Sequence, residues 1–202
     1  STYLQSSGPH GPEGQPLVDV AAIVMPAVDT QKLLEEDKQR AWDEPPRFAT
    51  AINVQINLAT DGTWETLENG LQLWRLRIMS PDAVSLNIGF TTYHMAPGGE
   101  LYLYTPDYRQ VVGPFTEQDN EEHGQLWTPL VEGAEVVIEV SLPASETPQL
   151  QLELTSVNHG YVDFDTAEKS GSCNVDVVCS QGDPWRSQIR SVGRYIFSGS
   201  FL

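Results

Sequence analysis

Between Arg47 and about Val157 the chain alternates apolar and polar residues with a period of two. Ile52, Val54, Ile56 and Leu58 alternate with Asn53, Gln55 and Asn57; Trp74, Leu76 and Ile78 with Arg75 and Arg77; Leu86, Ile88 and Phe90 with Asn87 and Gly89. Leu101 and Leu103 then alternate with Tyr102 and Tyr104, Val136, Ile138 and Val140 with Glu139 and Ser141, and Leu150, Leu152 and Leu154 with Gln151 and Glu153. Side chains on a strand point to opposite faces in turn, so this pattern predicts half-buried antiparallel strands. Turn signals separate most of the runs: Asp61-Gly62, Asn69-Gly70, Ser80-Pro81, Pro97-Gly98-Gly99, Gly113-Pro114 and Glu132-Gly133. Eight or nine strands over about 110 residues, with no helical crossover, predict an all-β domain over 47–161, an antiparallel β-sandwich or jelly roll.

The flanks have a different texture. Gly8, Pro9, Gly11, Pro12, Gly14 and Pro16 mark residues 1–16 as a flexible leader. A short helix is expected next, capped by Asp29 or Thr30, with Leu33, Leu34 and Trp42 as a modest apolar stripe and Pro45-Pro46 as its stop. Leader and helix together occupy 1–46. Residues 162–172 hold little that packs and read as an exposed linker. The segment 173–202 is too short to fold alone and ends on an apolar strand-like run, which suggests a truncated further domain.

Charge narrows the partners. Eleven Lys and Arg against 28 Asp and Glu give a net charge of −17, a surface that repels nucleic-acid phosphates and anionic lipid. The longest apolar run, Val20–Val28, is about half of what a membrane span needs and contains Pro26. The polar, Gly/Pro-rich start carries no secretory signal. Cys173 and Cys179, six apart and with no second pair of ligands after them, do not form a zinc site; they are either free thiols or disulfide partners in an exported protein.

Candidate chemistry is sparse. No Gly-x-Ser-x-Gly elbow, phosphate loop or His-Glu-x-x-His stretch occurs. Of the four histidines, His10 falls in the leader and His94 at a strand exit, while His159 ends the last strand in Asn158-His159-Gly160-Tyr161. His123 follows Asp119, Asn120, Glu121 and Glu122, an oxygen-rich loop that suggests calcium but lacks the spacing of a calcium loop. No cofactor is otherwise implied. Trp64, Trp74, Trp127, Tyr93, Tyr102, Tyr104 and Tyr108 either pack across strands or line a sugar-binding face.

The stretch Ser170-Gly171-Ser172-Cys173-Asn174-Val175-Asp176-Val177-Val178-Cys179, followed by Gly182-Asp183-Pro184-Trp185-Arg186 and Ile189-Arg190-Ser191-Val192-Gly193-Arg194-Tyr195, resembles the mature start of bacterial lysyl endopeptidases and related secreted trypsin-like serine proteases. The preceding region resembles their pro-region, through Glu44-Pro45-Pro46-Arg47-Phe48-Ala49, Gly99-Glu100-Leu101-Tyr102-Leu103-Tyr104, His123-Gly124-Gln125-Leu126-Trp127-Thr128-Pro129 and Val157-Asn158-His159-Gly160-Tyr161, among others. The resemblance runs from about residue 25 to the end. It implies a secreted zymogen in which a non-catalytic β domain assists folding of the protease and masks its cleft. The cognate catalytic domain would be its partner, with neither nucleic acid nor a membrane span involved. None of the family's triad residues has a counterpart in this chain. The resemblance also implies that Cys173 and Cys179 each bridge to cysteines of the catalytic domain, and that cleavage falls between Lys169 and Ser170, with a cut elsewhere in 163–171 as the alternative. The competing reading is a stand-alone secreted binding module for carbohydrate or a cell surface.

Overall fold

The computed structural model describes residues 8–40, 44, 47–163, 196–197 and 200–201. The chain forms β1 (Ala22–Val24), α1 (Thr30–Lys38), β2 (Ala49–Asn57), β3 (Thr63–Thr66), β4 (Leu71–Met79) and β5 (Ser85–His94). It continues with β6 (Glu100–Tyr104), β7 (Val111–Phe115), β8 (Leu126–Trp127), β9 (Val131–Glu132), β10 (Glu135–Pro143) and β11 (Gln151–Gly160). A pair of two-residue strands, β12 (Ile196–Phe197) and β13 (Ser200–Phe201), is also formed.

Two sheets make an all-β sandwich. The first has the order β1-β4-β10-β6-β7, with β3 on the same edge of β4 as β1; the second has the order β2-β11-β5-β8, with β9 further along β5. Pairing is antiparallel throughout except for β1, which runs parallel to β4 with Ala22 opposite Arg77. The expected strands are all present, and their alternate apolar residues meet between the sheets. Leu76, Ile78, Leu101, Leu103, Ile138 and Val140 of the first pack against Ile56, Ile88, Phe90, Leu154 and Val157 of the second. Strands β1, β3, β8 and β9 escape sequence reading because two to four residues are too few to show a period.

Residues 8–20 lie across the outer face of the first sheet, although 8–16 were expected to be part of a flexible leader. Two 3-10 turns, Gly11–Glu13 and Leu17–Asp19, shape this segment. Leu17 packs on Tyr102, Tyr104 and Val137, the outward residues of β6 and β10. Backbone carbonyls of Gly11 and Gln15 accept from the Arg75 guanidinium, and that of Leu17 accepts from Arg77. Alternation correctly turned Arg75 and Glu139 away from the core, yet both are fully buried, because a second layer of chain covers them.

Helix α1 begins where expected but ends at Lys38 with Gln39 as its C-cap, short of Trp42 and of the Pro45-Pro46 stop. Asp29 is its N-cap and accepts from the Lys32 amide at 3.0 Å. Trp42, Pro45 and Pro46 lie outside the described residues. Gly113-Pro114, expected as a turn, sits inside β7. An edge strand tolerates proline because its outer amide has no ladder partner. A register shift between Leu101 and Leu103 opens the ladder opposite this pair. Gly113 has φ +118, and a Cβ there would stand 2.6 Å from the Leu101 carbonyl oxygen, so the position requires glycine.

Candidate functional site

The first candidate is the end of the domain, where the chain leaves toward Lys169. Strand β11 runs to Gly160, and Tyr161 and Val162 both donate their amides to the Phe48 carbonyl, at 3.0 and 3.3 Å. The Tyr161 hydroxyl donates to Asp37 Oδ2 at 2.6 Å. Arg47 donates from Nε to Asp37 Oδ1 at 2.9 Å, from Nη2 to Glu36 at 3.1 Å and from Nη2 to the Leu33 carbonyl. Helix α1 is therefore fastened by ion pairs and one buried tyrosine to the exit of the domain. Burial, reinforced by the Asp37 carboxylate, pushes the Tyr161 hydroxyl pKa far up and keeps it a donor. Beside the exit, Val84, Arg109, Val111, Glu132, Val162 and Asp163 line a groove of about 650 Å³.

His159 lies directly before this exit, fully buried. Its Nδ1 is 2.8 Å from Ser80 Oγ, and its Nε2 is buried with no partner among the described residues. Burial holds the imidazole pKa below its ordinary value, against the upward pull of the Asp82 carboxylate. A serine, a histidine and an aspartate thus come together, but Ser80 Oγ is sealed with zero exposure. No substrate carbonyl can approach it, so the pair fastens the Ser80–Ala83 turn, closed by the Ala83 amide on the Ser80 carbonyl, to β11.

The other histidines are scattered. His10 contributes its amide to Glu139 and approaches Glu13 at 3.2 Å. His94 is exposed at the end of β5. His123 Nδ1 accepts from the Gln125 amide at 3.0 Å. In the loop read as a calcium candidate, Asp119 closes a capping box with Thr116, and Asn120 binds both the amide and the carbonyl of Met95. Those oxygens brace the loop. Among the described residues no three His, Cys, Asp or Glu side chains converge on a metal position.

The seven aromatics do not share a face. Trp74 and Tyr93 belong to the core, Tyr102 lies under the leader, and Tyr104 stacks on Tyr108 at 4.6 Å. Trp64 sits on β3 and donates to the Leu58 carbonyl. Trp127 stands apart on the second sheet, 51% exposed. It borders an outward groove of about 790 Å³ with Asn53, Gln55, Thr91, Ser156 and Asn158.

Lys169, Ser170, Cys173 and Cys179 lie outside the described residues. No helix among the described residues is long and apolar enough to cross a membrane. Sequence reading missed the Asp37–Arg47–Tyr161 fastening and the cluster under the leader. Each joins residues from distant parts of the chain, and no local pattern marks them.

No solved structure matches this chain. The lysyl endopeptidase of Pseudomonas aeruginosa is 26% identical over 183 residues, which cover 80% of this chain and 39% of that protein. The chain thus spans well under half the length of this relative. The family model described as the lysyl endopeptidase N-terminal domain matches residues 25–161, from just after β1 to the tyrosine that fastens the exit. On that match the chain belongs to the lysyl endopeptidase N-terminal domain family, and it represents the N-terminal region of a lysyl endopeptidase-like protein.

Proposed function

We propose that the sandwich, 47–161 with its leader and helix, is the non-catalytic pro-domain of a secreted serine endopeptidase that cuts after Lys or Arg. In this reading it assists folding of the catalytic domain and occludes its cleft until the connecting segment is cut between Lys169 and Ser170. Cys173 and Cys179 then form disulfides with the catalytic domain. The observation that carries the reading is the family match over 25–161, which runs to the residue after β11. Lys169 is six positions beyond Asp163, so chain length alone keeps it within about 20 Å of the domain exit. A partner docked at the exit groove would have the lysine within reach of its cleft.

The test uses the full-length precursor and this 202-residue chain. Mature protease sequenced from its N-terminus should begin at Ser170, and Lys169→Ala should block maturation at that bond. The 202-residue chain, added in trans, should inhibit mature protease or raise its refolding yield. Absence of both effects overturns the pro-domain role; a different mature N-terminus overturns only the choice of bond.

A further inference from the structure

The outer face of the second sheet carries a feature that the pro-domain reading does not use. One row runs across four strands: Asn53 of β2 is opposite Ser156 of β11, Ser156 opposite Gly89 of β5, and Gly89 opposite Trp127 of β8. The benzo ring of Trp127 occupies the space above Gly89, where an added Cβ would stand 2.4 Å from Cζ3. Glycine at this point lets the indole settle onto the sheet, and Trp127 as a whole stays half exposed. Beside it, β11 shifts register between Leu154 and Ser156, and a bulge of this kind bends a strand and re-aims its side chains.

The groove that results, of about 790 Å³, falls in the roughly 300–1,000 Å³ range of small-ligand sites. Its lining contains no ionisable side chain, although the chain carries 28 Asp and Glu. Its polar groups are amides and hydroxyls. Asn158 Oδ1 accepts from Ser156 Oγ at 3.3 Å, while the Asn53 and Gln55 side chains have no partner among the described residues. A charged ligand would find no counter-charge here. A flat apolar protein surface would strip water from these amides and leave them unpaired. A neutral sugar chain suits both features: its hydroxyls donate and accept along the amide row, and the C–H face of a pyranose matches the electron-rich face of an indole.

We propose that this face is a binding site for a neutral oligosaccharide, with Trp127 as the stacking platform and Asn53, Gln55 and Asn158 as the hydrogen-bonding floor. The 202-residue chain is titrated with hexamers of β1,4-linked N-acetylglucosamine, β1,4-linked glucose, α1,4-linked glucose and β1,4-linked mannose. Hexagalacturonate serves as the acidic counterpart, and calorimetry and tryptophan fluorescence report binding. At least one neutral hexamer binds saturably, hexagalacturonate does not, and Trp127→Ala weakens binding roughly tenfold or more. The double variant Asn53→Ala/Gln55→Ala, on the exposed edge strand, gives a smaller loss with an unchanged far-UV spectrum, and it carries the test if Trp127→Ala fails to fold. Binding by none of the neutral hexamers overturns the site, as does binding that both variants leave untouched. Equal binding of hexagalacturonate overturns the neutral-ligand assignment. If Trp127→Ala abolishes inhibition of the protease while no sugar binds, the face is a protein-docking surface and the proposal fails; loss of sugar binding with inhibition intact upholds it independently of the pro-domain role.

Discussion

Arg75 and Glu139 are register partners across β4 and β10, and neither has any solvent exposure. Each charge is answered locally. Arg75 donates to Glu65 at 2.5 Å and to the Gln15 and Gly11 carbonyls, while Glu139 accepts from the Tyr104 hydroxyl at 2.6 Å and from the His10 amide. Desolvation still raises the Glu139 pKa, against the lowering effects of Tyr104, the His10 amide and Arg75. This pair fixes the leader on the sheet, because leader backbone supplies hydrogen bonds that neither side chain finds elsewhere in the sandwich.

Removing one member of a buried, bonded charge cluster leaves its partners unpaired and typically costs about 3–5 kcal/mol. Arg75→Met is therefore expected to lower unfolding stability by roughly that amount in urea titration. A loss below about 1 kcal/mol, the scale of an exposed pair, would show that the cluster does not hold the leader.

Acid sensitivity should trace to His159. Its pKa is depressed in the fold by burial, so the unfolded chain, with an imidazole near its usual value of about 6.5, takes up the proton first as pH falls. The neutral-histidine contribution is complete above about pH 6.5 and is lost as pH drops toward the lowered folded value. Glu139 has the opposite sign: its raised pKa favours the fold at low pH, and that contribution fades as pH rises above the unfolded value. Comparing wild type with His159→Gln in denaturant series from pH 7.5 to 5 separates the two. The variant should have a flatter acid limb, and parallel profiles would remove His159 as the cause.

Tyr161→Phe deletes the hydroxyl that fastens the exit to Asp37 and keeps the ring. A hydrogen bond to a charged acceptor contributes about 1.5–3 kcal/mol, so a stability loss in that range is expected. Amide hydrogen exchange at Tyr161 and Val162 should speed up while β4 and β10 keep their protection. Uniform acceleration across both sheets would mean that the fastening acts on the whole fold instead.

Gly113→Ala should destabilise the first sheet by about 1–3 kcal/mol, the usual scale for a side chain forced into a positive-φ conformation. The 2.6 Å approach to the Leu101 carbonyl oxygen adds to the strain. Gly70→Ala is the control, since it also has positive φ but its Cβ would meet nothing within 4 Å. The Gly113 variant should have the lower thermal midpoint of the two.

The sandwich is legible in the strand pattern, because a strand buried on one face writes its environment into every second residue. Ile52–Leu58 and Val136–Val140 were legible for that reason, and Asp29 was legible as a cap because capping is a contact three residues long. The family resemblance was likewise carried by short local motifs. What covers an outward face leaves no such mark. The same alternation describes Arg75 whether water or the leader lies above it, so the sealing of that face by residues 8–20 follows from packing across the fold. The seat of Trp127 over Gly89 and the fastening of Tyr161 to Asp37 were decided there too. Each pairs residues 38 or more positions apart, brought together by strand register and the closure of the sheets.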